Sequence, residues 1–202
     1  MGEQLAGILY QHNAKVYIAA RSDAKASKAI EKIKSTHPAS NGELVYLHLD
    51  LNDLTTIKRS AEEFLIKENR LDVLWNNAGV MIPPQGSKTA QGHELQFGTN
   101  NVAPFLFTKL LLPILANTAK AAPPNSVRVI WVSSTAALLA PKPPVDLSNM
   151  DYKKDELAWN KYGRSKAGNV LHSAEFARQY KDDGIISVVR KLCPHSRIST
   201  RN

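Results

Sequence analysis

The 202-residue chain contains one cysteine, Cys193, so it can form no internal disulfide, and the reduced cytoplasm is its expected compartment. It also lacks a long apolar run. The longest, residues 105–116, is interrupted by Lys109 and Pro113 and is too short to span a bilayer, so no membrane association is expected. The start, Met1-Gly2-Glu3-Gln4-Leu5, has neither the basic flank nor the cleavage pattern of a secretory signal. Six histidines (His12, His37, His48, His93, His172 and His195) are scattered, and none has metal-site spacing to a cysteine or another histidine. Acids are missing from the last thirteen residues, where Arg190, Lys191, Arg197 and Arg201 supply half of the net charge of +8. The other lysines, such as Lys25, Lys28, Lys32 and Lys34, fall on solvated helix faces. No nucleic-acid partner is expected.

What is present is an alternation of elements in a length suited to one domain. Helical periodicity covers residues 3–12, 23–35, 53–67, 94–117 and 156–180. Short apolar runs at 14–20, 44–49, 72–75, 127–132 and 185–189 read as strands. Ser22 is the expected N-cap of the second helix. In the third, Leu54, Ile57, Ala61, Phe64 and Leu65 mark the buried stripe. Alternating apolar strands and helices predict an α/β fold, a doubly wound parallel sheet covered on both faces (Rossmann-like).

Four motifs sit on this frame. Tyr162-Gly-Arg-Ser-Lys166 puts a phenol and an ammonium four residues apart, on one face of a helix. A neighbouring lysine favours the ionised phenol and suits it to proton transfer near neutral pH. Ser133 and Ser134 close the strand beginning at Val127; either could merely start a turn. Asn76-Asn77-Ala78-Gly79 closes an earlier strand and would also serve as a turn. Asn100 opens a long apolar helix, where it would equally serve as a cap. At the end of the strand at 14–20 Arg21 suits a ribose 2′-phosphate, unless it is simply a solvated arginine at a helix start.

These motifs, in this order, resemble those of the classical short-chain dehydrogenases/reductases, most closely the retinol-dehydrogenase-like reductases of filamentous fungi. The resemblance runs from about Gly2 to Val189. It implies an oxidoreductase that interconverts a ketone or aldehyde and an alcohol with NADP(H), with fungal secondary metabolism as the expected setting. By that resemblance Tyr162 is the acid/base, and Ser134 rather than Ser133 hydrogen-bonds the substrate oxygen. Lys166 tunes the tyrosine and holds the nicotinamide ribose, and Asn100 positions a water in a proton relay. Gly2, Arg21, Asp50, Asn77, Ala78 and Gly79 join Tyr162 and Lys166 in holding the cofactor. Asp50 corresponds to the residue that contacts the adenine amino group; a helix cap is its other reading. The substrate would be a small to medium apolar carbonyl or alcohol, with Trp159 and the 138–144 loop lining its cleft or Trp159 simply packing. Family helices equivalent to those carrying Asn100 and Tyr162 form dimer contacts, which makes a homodimer an expectation.

The chain departs from the family at both ends. The family's first strand and glycine-rich phosphate loop precede the first helix, and here only Met1-Gly2 matches that motif. That strand would lie in the middle of the sheet. The usual Asn-Pro-Gly turn and substrate-covering segment are replaced by Val188-Val-Arg-Lys-Leu-Cys-Pro-His195. The expected organisation is therefore an incomplete dinucleotide-binding domain over 1–189 and a divergent, disordered tail over 190–202. Both ends are expected to reflect gene structure, with an internal methionine as the start and translated intron or frameshifted sequence as the tail. The alternative function is a non-catalytic remnant acting as an interaction protein, or having no function.

Overall fold

The computed structural model describes residues 1–192. Residues 193–202 of the expected tail, Cys193, Pro194 and His195 among them, lie outside the described residues. Seven α-helices and five strands alternate along the described chain: α1 (Gly2–Gln11), β1 (Lys15–Ala20), α2 (Asp23–Thr36), β2 (Glu43–His48), α3 (Leu54–Lys67), β3 (Val73–Asn76), α4 (Leu95–Phe97), α5 (Ala103–Leu110), α6 (Leu112–Ala121), β4 (Arg128–Ser134), α7 (Ala158–Tyr180) and β5 (Ile186–Leu192). Local chemistry sets several boundaries. The Ser22 hydroxyl accepts from the Lys25 amide at 3.4 Å to start α2, and the Asp53 carboxylate accepts from the Thr55 amide at 3.0 Å to start α3.

Every named strand pairing is parallel, as the alternation predicts. The strands form two sheets, β1-β2 and β3-β4-β5. On β1 the side chains alternate between two cores. Val16 and Ile18 pack with Ala6, Tyr10, Ile33 and Leu44 beneath α1 and α2, whereas Tyr17 and Ala19 join the larger core containing Ile57, Phe64, Phe107, Leu115, Val129 and Trp131. Strand β4 has neighbours on both sides and is buried from Val129 to Ser133. Strands β1 and β3 each have one strand partner, and β1 is nowhere fully buried. The division falls between the two strands that would flank the family's first strand. Backbone groups on an unpartnered edge are open to solvent. Amide hydrogen exchange read by mass spectrometry is therefore expected to be slowest in β4 and much faster in β1 and β3; equal protection in all three would contradict the two-sheet arrangement.

The periodic stretch 94–117 is not one helix. After α4 the chain makes a π-helical turn over Gly98–Val102, continues as α5, and bends by 53° into α6 at Leu111. Pro113 lacks the amide needed to continue the ladder. Among the described residues no single helix is long and apolar enough to cross a membrane. The bent pair has the composition of a span, but Phe107, Leu111, Ile114 and Leu115 are buried in the core.

At the far end, β5 runs three residues past the expected boundary at Val189. Arg190, Lys191 and Leu192 pair in register with Val132, Ser133 and Ser134, because β4 is itself two residues longer than its apolar run.

Candidate functional site

Parallel strands place their carboxyl ends on one edge, and the motif residues follow those ends. Arg21 follows β1, Asp50 follows β2, Asn77 follows β3, and Ser134 ends β4. Tyr162 and Lys166 lie one turn apart on α7, which packs on β4.

The tightest cluster is Gly79, Asn100, Tyr162 and Lys166. Asn100 is 1% exposed and grips Val80 from both sides. Its Oδ1 accepts from the Val80 amide at 2.8 Å, and its Nδ2 donates to the Val80 carbonyl at 2.9 Å and to the Ser165 hydroxyl at 2.9 Å. Asn100 sits within the π-helical turn and does not cap a helix. A Cβ on Gly79 would lie 2.7 Å from Asn100 Oδ1 and 3.5 Å from Lys166 Nζ, so no side chain fits there. Lys166 is 6% exposed. Its Nζ donates to the Val132 carbonyl at 3.1 Å, beside Asn169 Nδ2, which donates to the same oxygen at 2.9 Å. Among the described residues no carboxylate pairs with it, and burial pulls the Lys166 pKa down to about 8. The ammonium lies 5.8 Å from the centre of the Tyr162 ring.

The geometry separates the two serines. Ser133 is buried and donates to the Lys166 carbonyl at 2.7 Å, which fastens α7 to β4. Ser134 is half-buried, and its Oγ accepts from the Ala136 amide at 3.2 Å, leaving its own proton free to donate. It leads into a 3₁₀ turn, Thr135–Leu139, that packs against α7 beside Tyr162. A Cβ on Gly163 would lie 2.9 Å from the Ala136 carbonyl.

The other candidates are more open. Ala78, Gly79 and Arg21 are exposed. Gly2 opens α1 against the end of β3, where its Cβ would lie 3.1 Å from Asn77 Nδ2. Asn76 points away, donating to Thr108 at 2.9 Å. Asp50 does not cap a helix; Asp53 does, while Asp50 Oδ1 accepts from the Asn52 amide at 2.9 Å.

Three residues that the motifs did not single out complete the site. Asn169 shares the Val132 carbonyl with Lys166. Ser165 lies between Asn100 and the Tyr162 carbonyl. Gln96, fully buried, joins the loop after β3 to the start of α7. Asn169 could have been found by its i+3 spacing from Lys166, and Ser165 by the same spacing from Tyr162; nothing local marks Gln96.

A family model described as short chain dehydrogenase matches residues 1–143. The short-chain dehydrogenase/reductase pkfC of Emericella nidulans is 58% identical over 189 residues, covering 93% of this chain and 61% of that protein. The chain therefore spans less than two thirds of that relative. Among solved structures, a protein from Mycobacterium paratuberculosis superposes with a TM-score of 0.73 at 28% identity, covering 95% of this chain and 64% of that one. The RhlG/NADP active-site complex of Pseudomonas aeruginosa gives 0.70 at 25% identity, covering 93% and 66%.

Proposed function

The chain belongs to the short-chain dehydrogenase family, and from that membership we propose that its site interconverts a ketone or aldehyde and the corresponding alcohol with NADP(H). The observation that carries this reading is the buried, uncompensated Lys166 ammonium, held one turn from Tyr162 and against the backbone of Gly79. A cation kept at this cost suits a site that handles developing negative charge.

The residues fit the cofactor at both of its ends. Lys166 uses one donor on Val132 and keeps two for the nicotinamide ribose hydroxyls. The bare Gly79 backbone lies against it, and Asn77 and Ala78 continue that wall. At the other end the exposed Arg21 suits a 2′-phosphate and Asp50 lies on the neighbouring strand end, with Gly2 opening α1 between the two ends. NADPH held there would supply a hydride to the carbonyl carbon. As it arrives, charge grows on the carbonyl oxygen. Tyr162 gives that oxygen its phenolic proton and Ser134 donates a hydrogen bond to it. Lys166 stabilises the charge left on Tyr162, and Asn100 holds the local backbone and a water through which the proton is replaced. Oxidation of the alcohol runs the same transfers in reverse.

Support for NADP(H) comes from Arg21 and from the named ligand of the Pseudomonas structure. Equilibrium titration is expected to show tighter binding of NADPH than of NADH, with Arg21→Ala weakening NADPH by roughly tenfold and NADH far less, the size of one charge-assisted contact to phosphate. Equal losses for both would remove Arg21 from the phosphate site. A homodimer is supported by Phe105, Val170 and Leu171, which stay exposed on α5 and α7. The cytoplasmic setting and the place in secondary metabolism belong to the same proposal, supported by kinship with a fungal reductase.

One observation favours a second reading, a non-catalytic chain that acts through protein contacts: β1 and β3 keep unpartnered edges. Failure to bind either nucleotide in the same titration would select it.

A further inference from the structure

The start of α7 and the two segments joined to it expose apolar side chains. Met81 is 59% exposed, Leu138 75% and Leu139 72%, and Trp159, one turn before Tyr162, is 48% exposed. The indole ring is not part of the core; it lies beside the Tyr162 ring with centroids 5.9 Å apart and planes inclined by 35°. Two glutamines tie this rim together. Gln96 Oε1 accepts from the Ile82 amide at 2.9 Å, and its Nε2 donates to the Ala158 carbonyl at 2.9 Å. Gln85 reaches across to Asp155 and the Glu156 carbonyl. Ile82 is held at φ 48°, a left-handed conformation costly for a β-branched residue. The rim is thus fixed by buried and strained groups, and it keeps an aromatic face open beside the phenol.

We infer that this rim selects a planar aromatic carbonyl, with Trp159 as the specificity-determining residue. A flat substrate stacked on the exposed indole face would direct its carbonyl oxygen towards the neighbouring phenolic hydroxyl. A saturated ring of the same size has no π-face to offer and gains only apolar contact. The inference rests on the reductase reading given above.

The pair acetophenone and cyclohexyl methyl ketone tests it, because the two share a carbon skeleton and differ in aromaticity. With NADPH, wild type is expected to prefer acetophenone in kcat/KM. Trp159→Ala should lose about three- to tenfold on acetophenone, the worth of one aromatic pair, mostly through KM, with a much smaller loss on the saturated ketone. Trp159→Phe should recover most of it. Equal losses on the two ketones, or no rescue by phenylalanine, would overturn the inference. Saturation-transfer NMR with acetophenone and no cofactor separates this from the catalytic reading. Acetophenone signal in wild type that disappears in Trp159→Ala supports the stacking site even where no ketone is reduced. Absence of that signal in wild type, or its persistence in the variant, refutes it whatever the activity.

Discussion

Replacing Lys166 with methionine is expected to stabilise the folded chain at pH 7 while abolishing carbonyl reduction. The ammonium is 6% exposed, its hydrogen-bond partner among the described residues is the Val132 carbonyl, and its pKa falls from 10.5 to about 8. A drop of that size corresponds to roughly 3 kcal/mol of folding free energy at 1.36 kcal/mol per unit. The sign is fixed by proton counting. Between pH 8 and 10.5 the unfolded chain binds the proton and the folded chain does not, so stability rises with pH across this window. The penalty is full below about pH 8 and gone above about 10.5. Methionine fills nearly the same space without the charge, and the Val132 carbonyl keeps its bond from Asn169. Allowing for the lost Lys166 hydrogen bond, a gain of about 2 kcal/mol is expected at pH 7, or several degrees in the thermal midpoint. Calorimetry at pH 7 and pH 10.5 checks this. The gain should vanish at the higher pH, and a variant that is less stable than wild type at both values would refute it. NADPH-dependent reduction by the same variant should fall by at least about a hundredfold, since it loses both the charge beside Tyr162 and a ribose donor.

The second large effect is at Tyr162. In the Gly79–Asn100–Tyr162–Lys166 cluster its phenol is the group proposed to give the proton, since the Asn100 amide is committed to Val80 and Ser165 and the Lys166 ammonium, 5.8 Å from the ring centre, is proposed to hold the ribose. Tyr162→Phe removes one oxygen and leaves the ring contact with Trp159 intact. The fold and nucleotide affinity should survive. Carbonyl reduction should fall by about 10²- to 10⁴-fold in kcat, the range for losing a positioned acid. A variant with unchanged kcat would show that the proton comes from elsewhere, whereas a rise in KM alone would make Tyr162 a binding residue.

Much of the frame was legible because short-range chemistry determines it. Ser22 and Asp53 start helices that their own side chains cap, and the β-branched run beginning at Val127 becomes the buried central strand. The Tyr162–Lys166 turn was legible for the same reason, four residues being one helical repeat. Features that depend on distant partners were not. The π-helical turn that aims Asn100 at Val80 has no local signature, because its hydrogen bonds are completed by the loop after β3. Ser133 and Ser134 are alike in sequence and are separated only by the Lys166 carbonyl packed against one of them. The bend at Leu111 did have a signal in Pro113, which periodicity outweighed. Asp50 reads as a helix cap until Asp53, three residues on, is seen to take that place.

The proposed phosphate-binding half of the site is the thinner half, with Gly2 at the head of α1 and Arg21 after the end of β1. The central claim is that these residues and the Lys166 cluster together suffice for hydride transfer to a carbonyl. The most direct measurement incubates the purified chain with acetophenone and NADPH deuterated at the transferable position of nicotinamide C4, with mass spectrometry of the product. The account predicts 1-phenylethanol carrying one deuterium at the carbinol carbon, formed by wild type and reduced to the background rate in Tyr162→Phe. Absence of deuterated alcohol at saturating NADPH, from a chain shown to be folded, would contradict it.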